Sequence, residues 1–281
     1  MGKVMLITGA SRGIGAATAR LAAARGYALC LNYHQQQAAA DALVAEITQG
    51  GGQAIAVQAD VADESQVLQL FAQLDRHFGR LDVLVNNAGM LETQMPLEQM
   101  DLARWQRVFA TNVFGSFLCA REAIRRMSTA HGGQGGSIVN LSSAAARLGA
   151  PGEYIDYAAA KGAIDSMTLG LAKEVAAEGI RVNAVRPGVI DTEIHASGGE
   201  PARVARVSQS VPMGRGGLAE EVAEAILWLA SEQASYTSGA LLDEVCGLVD
   251  VMDDVRAQEV ALFEERQARA MAAMARMNAS A

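Results

Sequence analysis

Short apolar runs alternate with longer stretches of helical repeat along most of the chain. Val4-Met5-Leu6-Ile7, Ala28-Leu29-Cys30-Leu31, Ala54–Gln58, Val83-Leu84-Val85, Ser137–Leu141, Val182–Val185 and Ala240-Leu241-Leu242 read as strands. They are continuous rather than alternating, the pattern of strands covered on both faces. Between them the pattern predicts helices over about 16–25 (closed by Gly26), 36–49 (ended by Gly50-Gly51-Gly52), 63–78, a long one over 102–127, 156–178 and 220–230. A glycine after the last helical residue is a common stop. Strands alternating with helices predict right-handed βαβ units, and so an α/β fold: a Rossmann-type doubly wound parallel sheet of about seven strands. No solenoid repeat appears, and no break in composition precedes residue 247. The expectation is one catalytic-size domain over 1–247 and an extension over 248–281.

That extension has its own pattern. Val260, Phe263, Ala270, Met274 and Met277 fall at three- and four-residue spacing, acids lie mostly early and arginines mostly late. This predicts an amphipathic helix over about 253–277. It would pack on its own subunit or a neighbour and reach the substrate cleft; the alternative is a tail with little packing.

Composition narrows the class. The chain has 281 residues, 51% hydrophobic and 19% charged, which suits one large core. A net charge of -8 argues against a nucleic-acid surface. Cys30, Cys119 and Cys246 are far apart and read as reduced, in a cytoplasmic protein. The cysteines and histidines show no metal-ligand spacing. The N-terminus enters the first strand without a signal-peptide layout, and no apolar run is long enough to cross a membrane.

Candidate chemistry sits at two places. Tyr157 and Lys161 are four apart on a predicted helix, so they share a face. A neighbouring cation favours the phenolate and lowers the tyrosine pKa, which makes the pair a candidate general acid/base. Gly9, Gly13 and Gly15 lie between the first strand and first helix, where a helix N-terminus can hold a pyrophosphate. The spacing is Gly-x-x-x-Gly-x-Gly, not the Gly-x-Gly-x-x-Gly of the common fingerprint. The second strand ends in Leu31-Asn32-Tyr33-His34-Gln35 without an acid to hold a ribose 2′-hydroxyl. With Arg12 in the glycine turn, this favours NADP over NAD, Arg12 as a solvated loop charge being the alternative.

Thr8-Gly9-x3-Gly13-x-Gly15, Asn86-Asn87-Ala88-Gly89, Ser142-Ser143 and Tyr157-x3-Lys161 stand in one order. Together they resemble the short-chain dehydrogenase/reductase family over about residues 3–247, in general look its 3-oxoacyl-carrier-protein reductases and glucose dehydrogenases. The resemblance implies that Tyr157 is the acid/base and that Lys161 lowers its pKa and binds the nicotinamide ribose. It makes Asn112 the helix-kinking asparagine of a proton relay and Ser143 the holder of the substrate oxygen. Ser143 lies one residue farther from the tyrosine than the family serine usually does, which places an extra residue in the loop 147–153 and leaves Ser142 as an alternative. For the cofactor it implies the turn Gly9, Ser11, Arg12, Gly13, Ile14 and Gly15; Asn32 and His34 after the second strand; Asp60 and Val61 near adenine, with Asp60 as a helix cap the alternative; and Asn86, Ala88 and Gly89. Pro187, Gly188, Val189 and Ile190 would face nicotinamide, with Thr192 at its carboxamide. Ile194, His195, Val204 and Val207 fall in a variable substrate lobe, His195 expected at its surface. The implied partner is a small carbonyl or alcohol substrate, with no nucleic acid or membrane, in a homo-oligomer, tetramer or dimer, formed through the two long helices. A catalytically silent nucleotide-binding or regulatory member is the competing expectation.

Overall fold

The computed structural model describes residues 2–244; the expected helix over 253–277 and Cys246 lie outside the described residues. The first half runs β1 (Val4–Ile7), α1 (Gly13–Ala24), β2 (Ala28–Tyr33), α2 (Gln37–Gln49), β3 (Gln53–Gln58), α3 (Glu64–Phe78), β4 (Val83–Asn86), α4 (Leu102–Phe109) and α5 (Gly115–Met127). The second runs β5 (Gly136–Leu141), α6 (Ala145–Leu148), α7 (Ile155–Glu174), β6 (Ile180–Pro187), α8 (Ile194–Ser197), α9 (Arg203–Val207), α10 (Ala219–Ala230) and β7 (Leu241–Glu244).

All strand pairs are parallel, in the order β3-β2-β1-β4-β5-β6-β7. Successive strand residues face opposite sides. Met5 and Ile7 therefore join Ala16, Ala19, Leu43, Ile226 and Leu229 in one core, and Leu6 joins Phe71, Leu74, Cys119, Ile164 and Met167 in another. Both faces are covered, which is why the strands read as unbroken apolar runs. The order reverses between β1 and β4. A doubly wound sheet binds ligands at such a switch point, beyond the carboxyl ends of its strands.

Local chemistry sets the element ends. Asp63 caps α3 by accepting from Ser65 N at 2.8 Å and Gln66 N at 3.2 Å, and Gly79 ends it at φ 69°. The long helix expected over 102–127 is interrupted: a π turn over Ala110–Phe114 separates α4 from α5. Asn112 causes the break, because its amide takes a helix acceptor, donating to Val108 O at 2.9 Å.

Candidate active site

The turns after β1 and β4 clasp each other. Thr8 Oγ1 accepts from Asn87 N and Ala88 N, both at 3.0 Å, and Asn87 Nδ2 donates to Thr8 O at 2.8 Å and Gly9 O at 2.9 Å. Side chains are barred here. A Cβ on Gly15 would stand 2.6 Å from Asn87 Nδ2 and from Gly9 O, and one on Gly9, at φ +61°, 2.9 Å from Ala88 Cα. No side chain caps α1 at Arg12, and its first turn carries no acid. An uncapped helix start behind a glycine turn presents N–H donors to an anion. The residues present therefore fit the pyrophosphate of a dinucleotide, with Ser11 and Ile14 half-buried in the same turn.

Two expected cofactor contacts are engaged differently. Asn32, only 1% exposed, accepts from Gly9 N at 3.2 Å through Oδ1 and donates to Ala59 O at 2.9 Å through Nδ2. Its side chain braces the glycine turn against the end of β3 rather than facing the cleft. Arg12 reaches across to α8, Nη2 donating to Ser197 Oγ at 3.1 Å. His34 is exposed, with Nε2 3.9 Å from Asp60 Oδ2. Asp60 turns its own loop by accepting from Ala62 N at 2.9 Å, so the α3 cap is Asp63 and not Asp60. Val61 is buried under Gly115.

At the carboxyl end of β5 the polar residues converge. Lys161, 4% exposed, donates from Nζ to Leu141 O at 2.6 Å and stands 5.5 Å from the centre of the Tyr157 ring. Asn112 Oδ1 accepts from Met90 N, and its Nδ2 donates to Met90 O, both at 3.1 Å. A Cβ on Gly89 would stand 2.9 Å from Asn112 Oδ1 and 3.7 Å from Lys161 Nζ, so glycine leaves the space between them open. Ser142 is buried and donates to Lys161 O at 3.2 Å. Ser143 stays half-open, accepts from Ala145 N at 3.1 Å and interacts with the Tyr157 phenol. Of the two serines, Ser143 is the one at the tyrosine.

The electrostatics depart from the expected activation. Burial pushes the Tyr157 phenol up to about 12, against a smaller downward pull from Ser143. Burial brings Lys161 down to about 8, opposed by Asp165. The direction is opposite to the lowering expected from a neighbouring ammonium, because desolvation disfavours both charged forms and is the largest cause at each group.

Expected and unmarked residues together complete the frame. Asn86 Nδ2 donates to Asn140 Oδ1 and Asn140 Nδ2 to Thr168 Oγ1, both at 2.9 Å, joining β4, β5 and α7 through buried groups. Asn86 thus serves as a brace, and Asn140 and Thr168 are unmarked in the sequence. Pro187 and Ile190 are buried, Gly188 N donates to Glu244 O at 3.0 Å, and Thr192 stands against Gly13. Val189 packs with Ala144, Leu148 and Val211 in a small apolar cluster. His195 is not at the surface: it is 8% exposed, donates from Nε2 to Ile190 O at 2.8 Å, and has its pKa lowered by burial. Val204 lies against Gly216, and an ionic clamp of Arg203 and Arg206 on Glu153, with Arg206 and Gln94 on Glu200, ties the lobe to the facing loops. Among the described residues no cluster of His, Cys, Asp and Glu has metal-site geometry, and no helix is long and apolar enough to cross a membrane.

Comparisons with known proteins agree with this geometry. The family described as enoyl-(acyl carrier protein) reductase matches residues 9–248. An uncharacterized oxidoreductase of Escherichia coli (strain K12), YgfF, is 58% identical over 240 residues, 85% of this chain and 97% of that protein. A mutant form of a Serratia marcescens short-chain dehydrogenase/reductase superposes with a TM-score of 0.81 at 36% identity, covering 89% of this chain and 98% of that one. The 3-ketoacyl-(acyl-carrier-protein) reductase of Brucella melitensis, solved with NADH, also gives 0.81, at 33% identity and with 88% and 98% covered. The chain belongs to the short-chain dehydrogenase/reductase family of oxidoreductases.

Proposed function

We propose that the protein is an NADP(H)-dependent oxidoreductase that interconverts a carbonyl and a secondary alcohol, with Tyr157 as acid/base. The observation that carries the reading is the meeting of Ser143, Tyr157, Lys161 and Asn112 at the end of β5, beside a glycine turn fit for pyrophosphate. When bound, the nicotinamide supplies or accepts the hydride. Ser143 holds the substrate oxygen. The Tyr157 phenol, kept protonated by burial, is in the form that reduction needs and donates as charge builds on that oxygen. Lys161 offers donors to the ribose hydroxyls, and Asn112 fixes Met90 at the cleft wall. Gly9, Ser11, Arg12, Gly13, Ile14 and Gly15 would take the pyrophosphate side, His34, Asp60 and Val61 the adenosine side, and the segment from Pro187 to Thr192 the nicotinamide side.

NADP is favoured over NAD because β2 is followed by His34 and Gln35, with no carboxylate to repel a 2′-phosphate. The Brucella protein, which is a 3-ketoacyl-carrier reductase and was solved with NADH, supports the nicotinamide and the ketone substrate class. Exposed Phe114, Phe117 and Leu169 on and beside α5 and α7 support a homo-oligomer. Cys30 and Cys119, free and buried, suit a cytoplasmic protein. The test is cofactor oxidation with a panel of ketones and aldehydes, run with NADPH and with NADH. Turnover with a lower KM for NADPH is expected. NADPH binding with no turnover on any carbonyl would favour the silent nucleotide-binding reading.

A further inference from the structure

Tyr157 lies in the first turn of α7, where N–H groups have no intrahelical acceptor and a helix frays most easily. The cap position is Tyr154, which supplies no side-chain cap; its hydroxyl donates to Gly198 O at 3.2 Å instead. The free N–H of Tyr157 is taken by Asp156 Oδ1 at 2.9 Å. Asp156 is 4% exposed and is gripped by both arms of Arg104 from α4, Nε to Oδ2 at 2.6 Å and Nη2 to Oδ1 at 3.2 Å. Arg104 is itself 2% exposed. Its remaining arm, Nη1, donates to Thr93 O at 2.5 Å, and its backbone N–H donates to Asp101 Oδ1 at 2.7 Å.

We propose that Arg104 and Asp156 are positioning residues for the reaction: the pair locks the first turn of α7, and Tyr157 with it, to α4 and to the wall segment at Thr93. The inference rests on the reading of Tyr157 as the acid/base. A buried ion pair adds little net stability over apolar residues of the same size. A two-armed arginine–carboxylate contact does fix direction and register. The other members of the site have separate anchors: Lys161 on Leu141 O, Ser143 at the end of β5, Asn112 on Met90. Tyr157 alone depends on the Asp156–Arg104 link for its backbone N–H. Loosening the link therefore moves the phenol relative to Ser143 while the rest of the site stays in place. A misplacement on the order of 1 Å costs about 100-fold in rate.

Three variants of the full chain test this, each measured for kcat, KM, NADPH affinity and thermal melting with a carbonyl that the wild type reduces. Arg104→Lys keeps the charge and loses the fork. Asp156→Asn keeps an acceptor for Tyr157 N–H and loses the ion pair. Arg104→Met with Asp156→Leu replaces the pair by apolar groups, and provides a folded protein should the single variants be unstable. The expected result is a kcat lower by roughly 10- to 100-fold, with NADPH affinity and KM within about threefold of wild type. In the apolar double variant the loss of kcat should accompany a melting temperature at or above that of wild type. Wild-type kcat in a folded variant overturns the inference, as does a loss of NADPH affinity that matches the loss of kcat. Tyr157→Phe in parallel separates the two claims. If it retains turnover, the acid/base reading fails and the positioning inference with it; if it loses turnover while the Arg104 and Asp156 variants do not, only the positioning inference fails.

Discussion

Ser142 and Ser143 are neighbours in sequence and opposites in role. The Ser142 hydroxyl spends its proton on Lys161 O inside the protein, whereas Ser143 stays half-open at the phenol. Ser143→Ala should lower kcat by about 100- to 1,000-fold, the range for losing a donor to a developing oxyanion. Ser142→Ala should leave kcat within a few-fold of wild type and cost about 1 kcal/mol in chemical denaturation. Steady-state rates and denaturation curves of both variants check the assignment. Lys161 gives a pH signature. Its pKa falls from 10.5 to about 8 on burial, so between those values the unfolded chain holds a proton that the folded chain has released. Stability from this group therefore rises as pH rises through that window. Tyr157 acts oppositely and later, since its pKa rises from 10.0 to about 12 and stability falls as pH rises between them. Denaturation at pH values from 8 to 10 should give wild type a more positive slope of stability against pH than Lys161→Met. Burial of Cys30 and Cys119, which lowers stability as pH rises above about 9, acts alike in both. Equal slopes would contradict the buried ammonium.

Tyr157 and Lys161 were legible as a pair because they stand four apart on one helix. The glycines of the first turn were legible because they fall between a strand and a helix, although what bars side chains there is Asn87 and Ala88, far off in sequence. Asp60 was the alternative expected as the α3 cap, and the structure puts Asp63 there. The break at Asn112 entered only through the family resemblance, and the inward face of His195 was not legible, since it depends on the lobe folding back to Ile190. The family resemblance makes Asn32 a cofactor contact after β2, but it lies inside β2 and Ala59, 27 residues on, claims its side chain. The loop before Tyr157 carries one strained residue. Ala150 sits at φ 46°, a left-handed conformation that suits glycine, between Gly149 at 78° and Gly152 at 72°. Left-handed backbone costs a non-glycine residue about 1–2 kcal/mol. Ala150→Gly should therefore stabilise the protein, by up to about 1 kcal/mol once the extra entropy of an unfolded glycine is subtracted. A lower midpoint in denaturation would show that the strain is not there.

At the scale of the whole molecule, the parallel sheet puts the candidate groups at the carboxyl ends of its strands. The turns after β1 and β4 meet at the switch point, Ser142 and Ser143 follow β5, and β6 ends in Pro187, so turns distant in sequence meet around one cleft. The fold class was legible because an unbroken apolar run, repeated with helices between, has few other solutions. The extension after 247 stands as a proposal, supported by a family match that ends at residue 248. The central claim is that this cleft moves a proton through Tyr157 while a nicotinamide exchanges a hydride with a carbonyl. The most direct measurement is NADPH consumption by wild type and Tyr157→Phe with the best carbonyl substrate, alongside NADPH affinity for both. The account predicts equal affinity and a kcat lower by at least about 100-fold in Tyr157→Phe. Turnover by Tyr157→Phe at the wild-type rate would contradict it.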